Sequence, residues 1–293
     1  MKIDSHHHIW DLGVRDQDWI VGESLAPIRR NFLMSDYKET VKPFGIEKSV
    51  IVQTVTSYDE TPELLAIAET DEMVAGIVGW LDMSADDAVL HLDHYQTLPG
   101  APYLKGIRDI VQDHPDSNYL ARAQVDKNVK ELGKRGLAYD ILTKTPELPG
   151  AIELVKNNSD VQFILDHISK PYISKREFEP WRSLITEIAK FENVVCKVSG
   201  IVTEADWKNW NIKDIKPYFD IILENFGANR LMYGSDWPVC TLDGSYKEVF
   251  ELAENLVKEL SPTEKAFFWS GCANRAYRLN LDRKSTRLNS SHT

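Results

Sequence analysis

The stretch KIDSHHHI, residues 2–9, runs from a β-prone start into three consecutive histidines. A purification-tag remnant would sit on a Gly/Ser linker, but here the histidines follow Ile3 and Asp4. Two readings remain, a surface cluster or a strand whose end carries ligand-type side chains. The rest of the chain decides between them, because short β-rich runs recur. KSVIVQTV (48–55), VAGIVGWL (74–81), YLKGIRDI (103–110), LAYDIL (137–142), VQFILDHI (161–168), VVCKVSG (194–200) and RLMYGSDW (230–237) are mostly near-continuous apolar runs. That is the pattern of parallel strands covered on both faces. Between them lie segments of helical spacing such as TPELLAIAET (61–70) and RSLITEIAKFEN (182–193). Eight strands, each followed by a helix or long loop, predict a (β/α)8 barrel.

Two segments depart from the alternation. Residues 11–45 form a long connection after the first strand and are expected to make a lid that ends in a short helix. Residues 262–281, PTEKAFFWSGCANRAYRLNL, are expected to supply a C-terminal closing helix. No linker interrupts the pattern, so residues 1–281 read as one domain. The basic, Ser-rich stretch 282–293, DRKSTRLNSSHT, reads as a disordered tail or appended scar.

Composition narrows the function classes. The 293 residues are 43% hydrophobic with a formal charge of −11, which suits a protein with a large core and disfavours a phosphate-binding surface. Neither a membrane-length apolar run nor a secretory leader is visible. Cys196, Cys240 and Cys272 are odd in number and widely spaced, as thiols of a reducing compartment are. The expected location is cytoplasmic, with no nucleic-acid or membrane partner; a homo-oligomer is left open.

Barrel enzymes place their chemistry at the C-terminal strand ends. The two-residue strand period puts His6 and His8 on one face and His7 on the other, toward the helices. Two inward imidazoles suit a transition metal. The sixth strand ends in LDH and the eighth in YGSD, bringing His167 and Asp236 to the same mouth. Each has an ordinary alternative, a hydrogen-bonded structural histidine or a turn aspartate. The convergence of His6, His8, His167 and Asp236 favours one site. His91 and His94 fall on a helix surface, and a loop holds His114. If Gly106 and Arg108 face inward, Lys105 faces the helices. Trp19, Gln53, Trp80, Arg108, Lys197 and Trp237 stand where a substrate pocket belongs; aromatic faces among scattered polar groups suit a polyol ring.

The ordered set DSHHH (4–8), QDWI (17–20), IVGWLD (77–82), LKGIRDIVQDHPD (104–116), LDHISKP (165–171), VVCKVSGIVTEADW (194–207), YGSDWPVCTL (233–242) and GCANRAYRL (271–279) resembles the amidohydrolase superfamily. Within it the set is most similar to the sugar-lactonase branch, the L-fuconolactonase and L-rhamnonolactonase group. The resemblance implies a hydrolase that opens an aldonolactone to its sugar acid, with Asp236 as general base and His167 either holding a metal or facing the oxyanion. It implies one divalent ion, Zn2+ by preference, on His6, His8, His167 and Asp236, or a metal-independent site. Asp109 stands where many such relatives carry histidine, which bears on substrate identity. A metal-dependent decarboxylase and a non-catalytic barrel that binds a small molecule are the rival readings.

Overall fold

The computed structural model describes residues 1–281. The stretch 282–293, read above as a tail, lies outside the described residues. Eight strands form one parallel sheet in sequential order: β1 (Lys2–His7), β2 (Ile46–Val52), β3 (Val74–Gly79), β4 (Leu104–Ile110), β5 (Ala138–Leu142), β6 (Phe163–Leu165), β7 (Val194–Val198) and β8 (Leu231–Tyr233). The sheet closes on itself through a parallel bridge between His7 and Trp237, where His8 N donates to Trp237 O at 2.7 Å and Asp236 N donates to His6 O at 2.8 Å. The result is the expected (β/α)8 barrel.

Eight helices follow the strands: α1 (Met34–Val41), α2 (Glu60–Thr70), α3 (Ala88–Thr97), α4 (Ala123–Lys134), α5 (Leu148–Asn157), α6 (Trp181–Ile188), α7 (Ile212–Phe226) and α8 (Tyr246–Leu256). Their starts are written locally. Ser245 and Glu248 cap α8 reciprocally, and Asn211 with Asp214 caps α7, satisfying amides that the first helical turn leaves free. The lid is tied down by backbone pairing of Trp10 with Phe32, while Trp10 Nε1 donates to Arg30 O at 2.7 Å. It ends in α1, as its sequence predicts. The closing segment comprises α9 (Pro262–Ala266), a π-helical turn (Phe267–Gly271) and α10 (Cys272–Ala276). Cys272, Ala276 and Tyr277 pack with the barrel-interior residues Ile3, Val52, Ile164 and Met232. Lys105 lies against Gly76 and Leu279, on this closing side.

One irregularity places the histidines. Along β1, Asp4 pairs with Ser49 and His7 with Ile51, so β1 carries one residue more than β2 over that span. This bulge lets Asp4 and His7 face the same outer helix: Tyr37 of α1 donates to Asp4 Oδ2 and stacks on the His7 ring. His6 and His8 therefore point into the barrel mouth.

Candidate active site

His6, His167 and Asp236 bring one ligand-type atom each within 4.8 Å of one another, and all three are buried. The approach comes from two abrupt strand ends. β6 and β8 stop after three residues each, and His167 (φ 52) and Asp236 (φ 57) follow in left-handed backbone. The sequence reading puts these residues at strand tips; the structure puts them just beyond, in a conformation that costs non-glycine residues free energy and that gathers at functional sites. Gly200 (φ 58) makes room, since a Cβ there would come within 2.6 Å of His167 Nδ1 and 3.2 Å of Asp236 Oδ2.

Asp236 Oδ1 lies 3.8 Å from His6 Nε2, 3.4 Å from His8 Nε2 and 3.9 Å from His167 Nε2. His8 Nδ1 is 2.8 Å from Val52 O; a carbonyl only accepts, so this nitrogen carries the proton and leaves Nε2 with a free lone pair. His167 Nδ1 meets Ser199 Oγ at 2.9 Å. Burial depresses the pKa of both His6 and His167, the latter to about 4. Burial opposes ionisation of Asp236 too, yet the surrounding histidines, His167 foremost, hold its carboxyl well below the usual range. Near neutrality the cluster is thus a carboxylate among neutral imidazoles.

Beneath it lies a sealed ionic layer. Lys197 is fully buried, with Nζ 2.6 Å from Asp140 Oδ2, 2.9 Å from Asp166 Oδ1 and 3.1 Å from His6 Nδ1. The Tyr277 hydroxyl donates to Asp140 from the closing segment. Arg108 donates to Asp166 Oδ2 at 3.1 Å and to Gln53 O at 2.7 Å. Two cations and two carboxylates balance within this layer, so neither of its cations is left over for Asp236. A buried charge without a partner is costly. Two ligands at tetrahedral zinc are about 3.3 Å apart, near the spacings around Asp236. Donor type, protonation and surplus charge together fit one divalent cation.

Above the cluster a cavity of about 180 Å3 opens, lined by His8, Trp19, Thr54, Arg108, Gln112, His167, Lys170 and Asp236, with Ile110, Leu142 and Val239 as apolar wall. Of the pocket residues named from sequence, Trp19 and Arg108 line it. Gln53 lies under Arg108, and Lys197 belongs to the ionic layer. Trp80 donates to Asp109 at 3.0 Å, and Trp237 packs on Phe32 and Tyr37. Asp140, Asp166, Gln112 and Lys170 escaped the sequence reading. The first had a signal, since a lone charge inside an apolar strand requires a partner. A larger groove of about 560 Å3, lined by residues including Val14, Leu33 and Leu64, lies between lid and α2 and contains neither the gathered histidines nor Asp236.

A closed parallel barrel with two inward histidines at the end of β1, a third after β6 and an aspartate after β8 defines a hydrolytic, metal-type barrel site. The amidohydrolase family model matches residues 3–279, and the chain belongs to that family, as a hydrolase related to the sugar aldonolactonases. It is 32% identical to the L-fucono-1,5-lactonase of Burkholderia multivorans, across 95% of this chain and 96% of that one. Against the L-fucono-1,5-lactonase of Burkholderia ambifaria it is 31% identical, across 84% and 83%. A crystal structure of a Burkholderia multivorans amidohydrolase with bound zinc superposes with a TM-score of 0.87 at 33% identity, covering 95% of this chain and 99% of that one.

Proposed function

We propose that the protein hydrolyses a sugar aldonolactone of the L-fucono or L-rhamnono type to its sugar acid, in the cytoplasm, with residues 1–281 acting as one barrel domain. The observation that carries this reading is the cavity over Asp236. Its volume of about 180 Å3 is on the scale of a small molecule. That size suits one small ring. Two of its residues hold buried polar atoms without a hydrogen-bond partner among the described residues, the donor Arg108 Nε and the acceptor Gln112 Oε1. Leaving both unmet is costly, and with a small shift of either side chain on binding a polyol supplies a carbonyl or hydroxyl for the first and a hydroxyl for the second. The apolar wall faces ring carbons. The relatives named as lactonases support the same substrate class.

The chemistry divides among the residues present. Asp236, ionised and aimed into the mouth, takes a proton from water as the hydroxyl adds to the lactone carbonyl. When the tetrahedral carbon collapses and the ring C–O bond breaks, Asp236 returns that proton to the departing ring oxygen. Arg108 donates toward the oxygen that gains charge. His6, His167 and Asp236, with His8 beside them, would hold a divalent cation, which supplies Lewis acidity at the carbonyl and lowers the pKa of bound water. Trp19 covers the ring, its indole fixed by a 2.9 Å bond to Gln17 Oε1.

A pH-indicator assay over L-fucono-, L-rhamnono-, D-arabinono- and D-xylonolactones, run on wild type and Asp236→Asn before and after chelation and zinc addition, tests the proposal. Proton release that disappears in the variant is the expected result. Absence of turnover on every lactone would sink it, and carbon dioxide release from an aromatic acid would replace it with a decarboxylase.

A further inference from the structure

Four side chains lie within 3.5 Å of the His6 ring nitrogens, and they sort into two sets that require opposite tautomers. A neutral imidazole carries one proton, and ammonium and guanidinium groups only donate. If Nδ1 accepts from Lys197 Nζ at 3.1 Å, the proton sits on Nε2 and is donated to His8 Nε2 at 3.2 Å. His8 can accept it because its own proton is committed at Nδ1 to Val52 O at 2.8 Å. Lys197, His6, His8 and Val52 then form one unbroken chain of hydrogen bonds. The opposite tautomer puts the proton on Nδ1 toward Asp166 Oδ1 at 3.5 Å and leaves Nε2 facing Arg108 Nη1 at 3.4 Å. Both contacts of the second set are longer, and 3.5 Å lies beyond an ordinary N–H···O bond.

We propose that Lys197 and Asp166 act as positioning residues that select between the two tautomers of His6, so that Lys197 holds the ring in the form that cannot ligate a cation through Nε2. Loading of His6, His167 and Asp236 then requires the His6 proton to cross to Nδ1, with Asp166 as its acceptor and Lys197 released to its two carboxylates. Lys197 opposes this step twice, by holding Nδ1 and by its own positive charge across the ring from the ion. The buried lysine thereby sets how tightly the reaction centre takes a metal. This inference rests on the reading of the cluster as the reaction centre but not on the substrate, so its test uses no lactone.

Metal-free wild-type protein labelled with 15N-histidine is examined by long-range 1H–15N correlation, and His6 is assigned from the signals lost in His6→Asn. The expected result is an Nε2-protonated His6 that becomes Nδ1-protonated when zinc chloride is added. A metal-free His6 already protonated at Nδ1 overturns the proposal. Zinc competition against a chromophoric chelator supplies the second readout, with Lys197→Gln binding zinc at least tenfold more tightly than wild type. Equal affinity in a folded Lys197→Gln protein removes the role assigned to Lys197. Should that variant not fold, the wild-type tautomer decides alone.

Discussion

The two sides of the Asp236 cluster are built on opposite terms. Above it, the cavity holds polar groups with unmet hydrogen-bonding capacity, Arg108 Nε and Gln112 Oε1, and a carboxylate whose charge is unbalanced. Below it, Lys197, Asp140, Asp166 and Tyr277 are fully buried and meet one another at close range with their charges paired, although Asp140 Oδ1 has no hydrogen-bond partner among the described residues. Unmet capacity beside an open cavity is where a ligand gains free energy, whereas a closely packed layer of paired charges resists change. The comparison predicts that substitutions facing the cavity, Asp236 included, should alter turnover with little effect on folding, and that substitutions at the packed boundary or below it should reach both.

Asp236→Asn gives the largest expected effect. It keeps size and removes the base, so kcat on the preferred lactone should fall by roughly 10^3 with KM near wild type and the thermal midpoint little changed. A variant that lost stability as heavily as activity would break the division between the two sides. Gly200→Ala strikes the boundary between them. The added methyl meets His167 and Asp236, and φ 58 is unfavourable for alanine, so a stability loss of about 2 kcal/mol or more should accompany a marked fall in kcat. Chemical denaturation together with kinetics on the same preparation checks both.

The pH dependence sharpens the comparison further. His167 has its folded pKa depressed to about 4 by burial, from an ordinary 6.5. Its contribution to stability is therefore fully present above pH 6.5 and is lost as pH falls toward 4, because the unfolded chain takes up the proton first. By pH 5 the loss from this one group amounts to about 2 kcal/mol. Asp4 and Asp140, raised to about 6 by burial, act in the other direction, adding stability as pH falls through 6. The raw profile sums all of these groups, so the informative quantity is the difference between wild type and His167→Gln at pH 7 and pH 5. The variant should lose about 2 kcal/mol less over that interval.

What the sequence disclosed follows the same division. The alternation of apolar runs and helical segments specified the barrel, since parallel strands buried on both faces leave a continuous hydrophobic trace. The strand period alone put His6 and His8 together. It did not disclose the bulge after Asp4, because a bulge changes register without changing composition. The left-handed turns at His167 and Asp236 were equally silent, for neither residue type announces that conformation. The ionic layer was half legible. Arg108, Asp140 and Lys197 each interrupt an apolar strand, and charges so placed must be paired. Their partners depend on which strands face one another across the interior, and that is set by closure of the barrel. Lys197 accordingly read as a pocket residue, although the structure buries it beneath His6.

The smallest expected effect tests the upper side most directly. Gln112 Oε1 is a buried acceptor without a partner among the described residues, on a side chain that lines the cavity. If a substrate hydroxyl meets it, Gln112→Leu removes one neutral hydrogen bond made equally in ground and transition states. KM should then rise about fivefold to tenfold, a loss of roughly 1 kcal/mol, with kcat unchanged. Stability should hold or increase slightly, since the variant also removes an unsatisfied buried atom. A lactone lacking the hydroxyl concerned should bind both proteins alike. A panel of deoxy-lactones assayed against wild type and Gln112→Leu would thus identify which hydroxyl the cavity reads. A KM rise equal for every lactone would instead mean that Gln112 only shapes the wall.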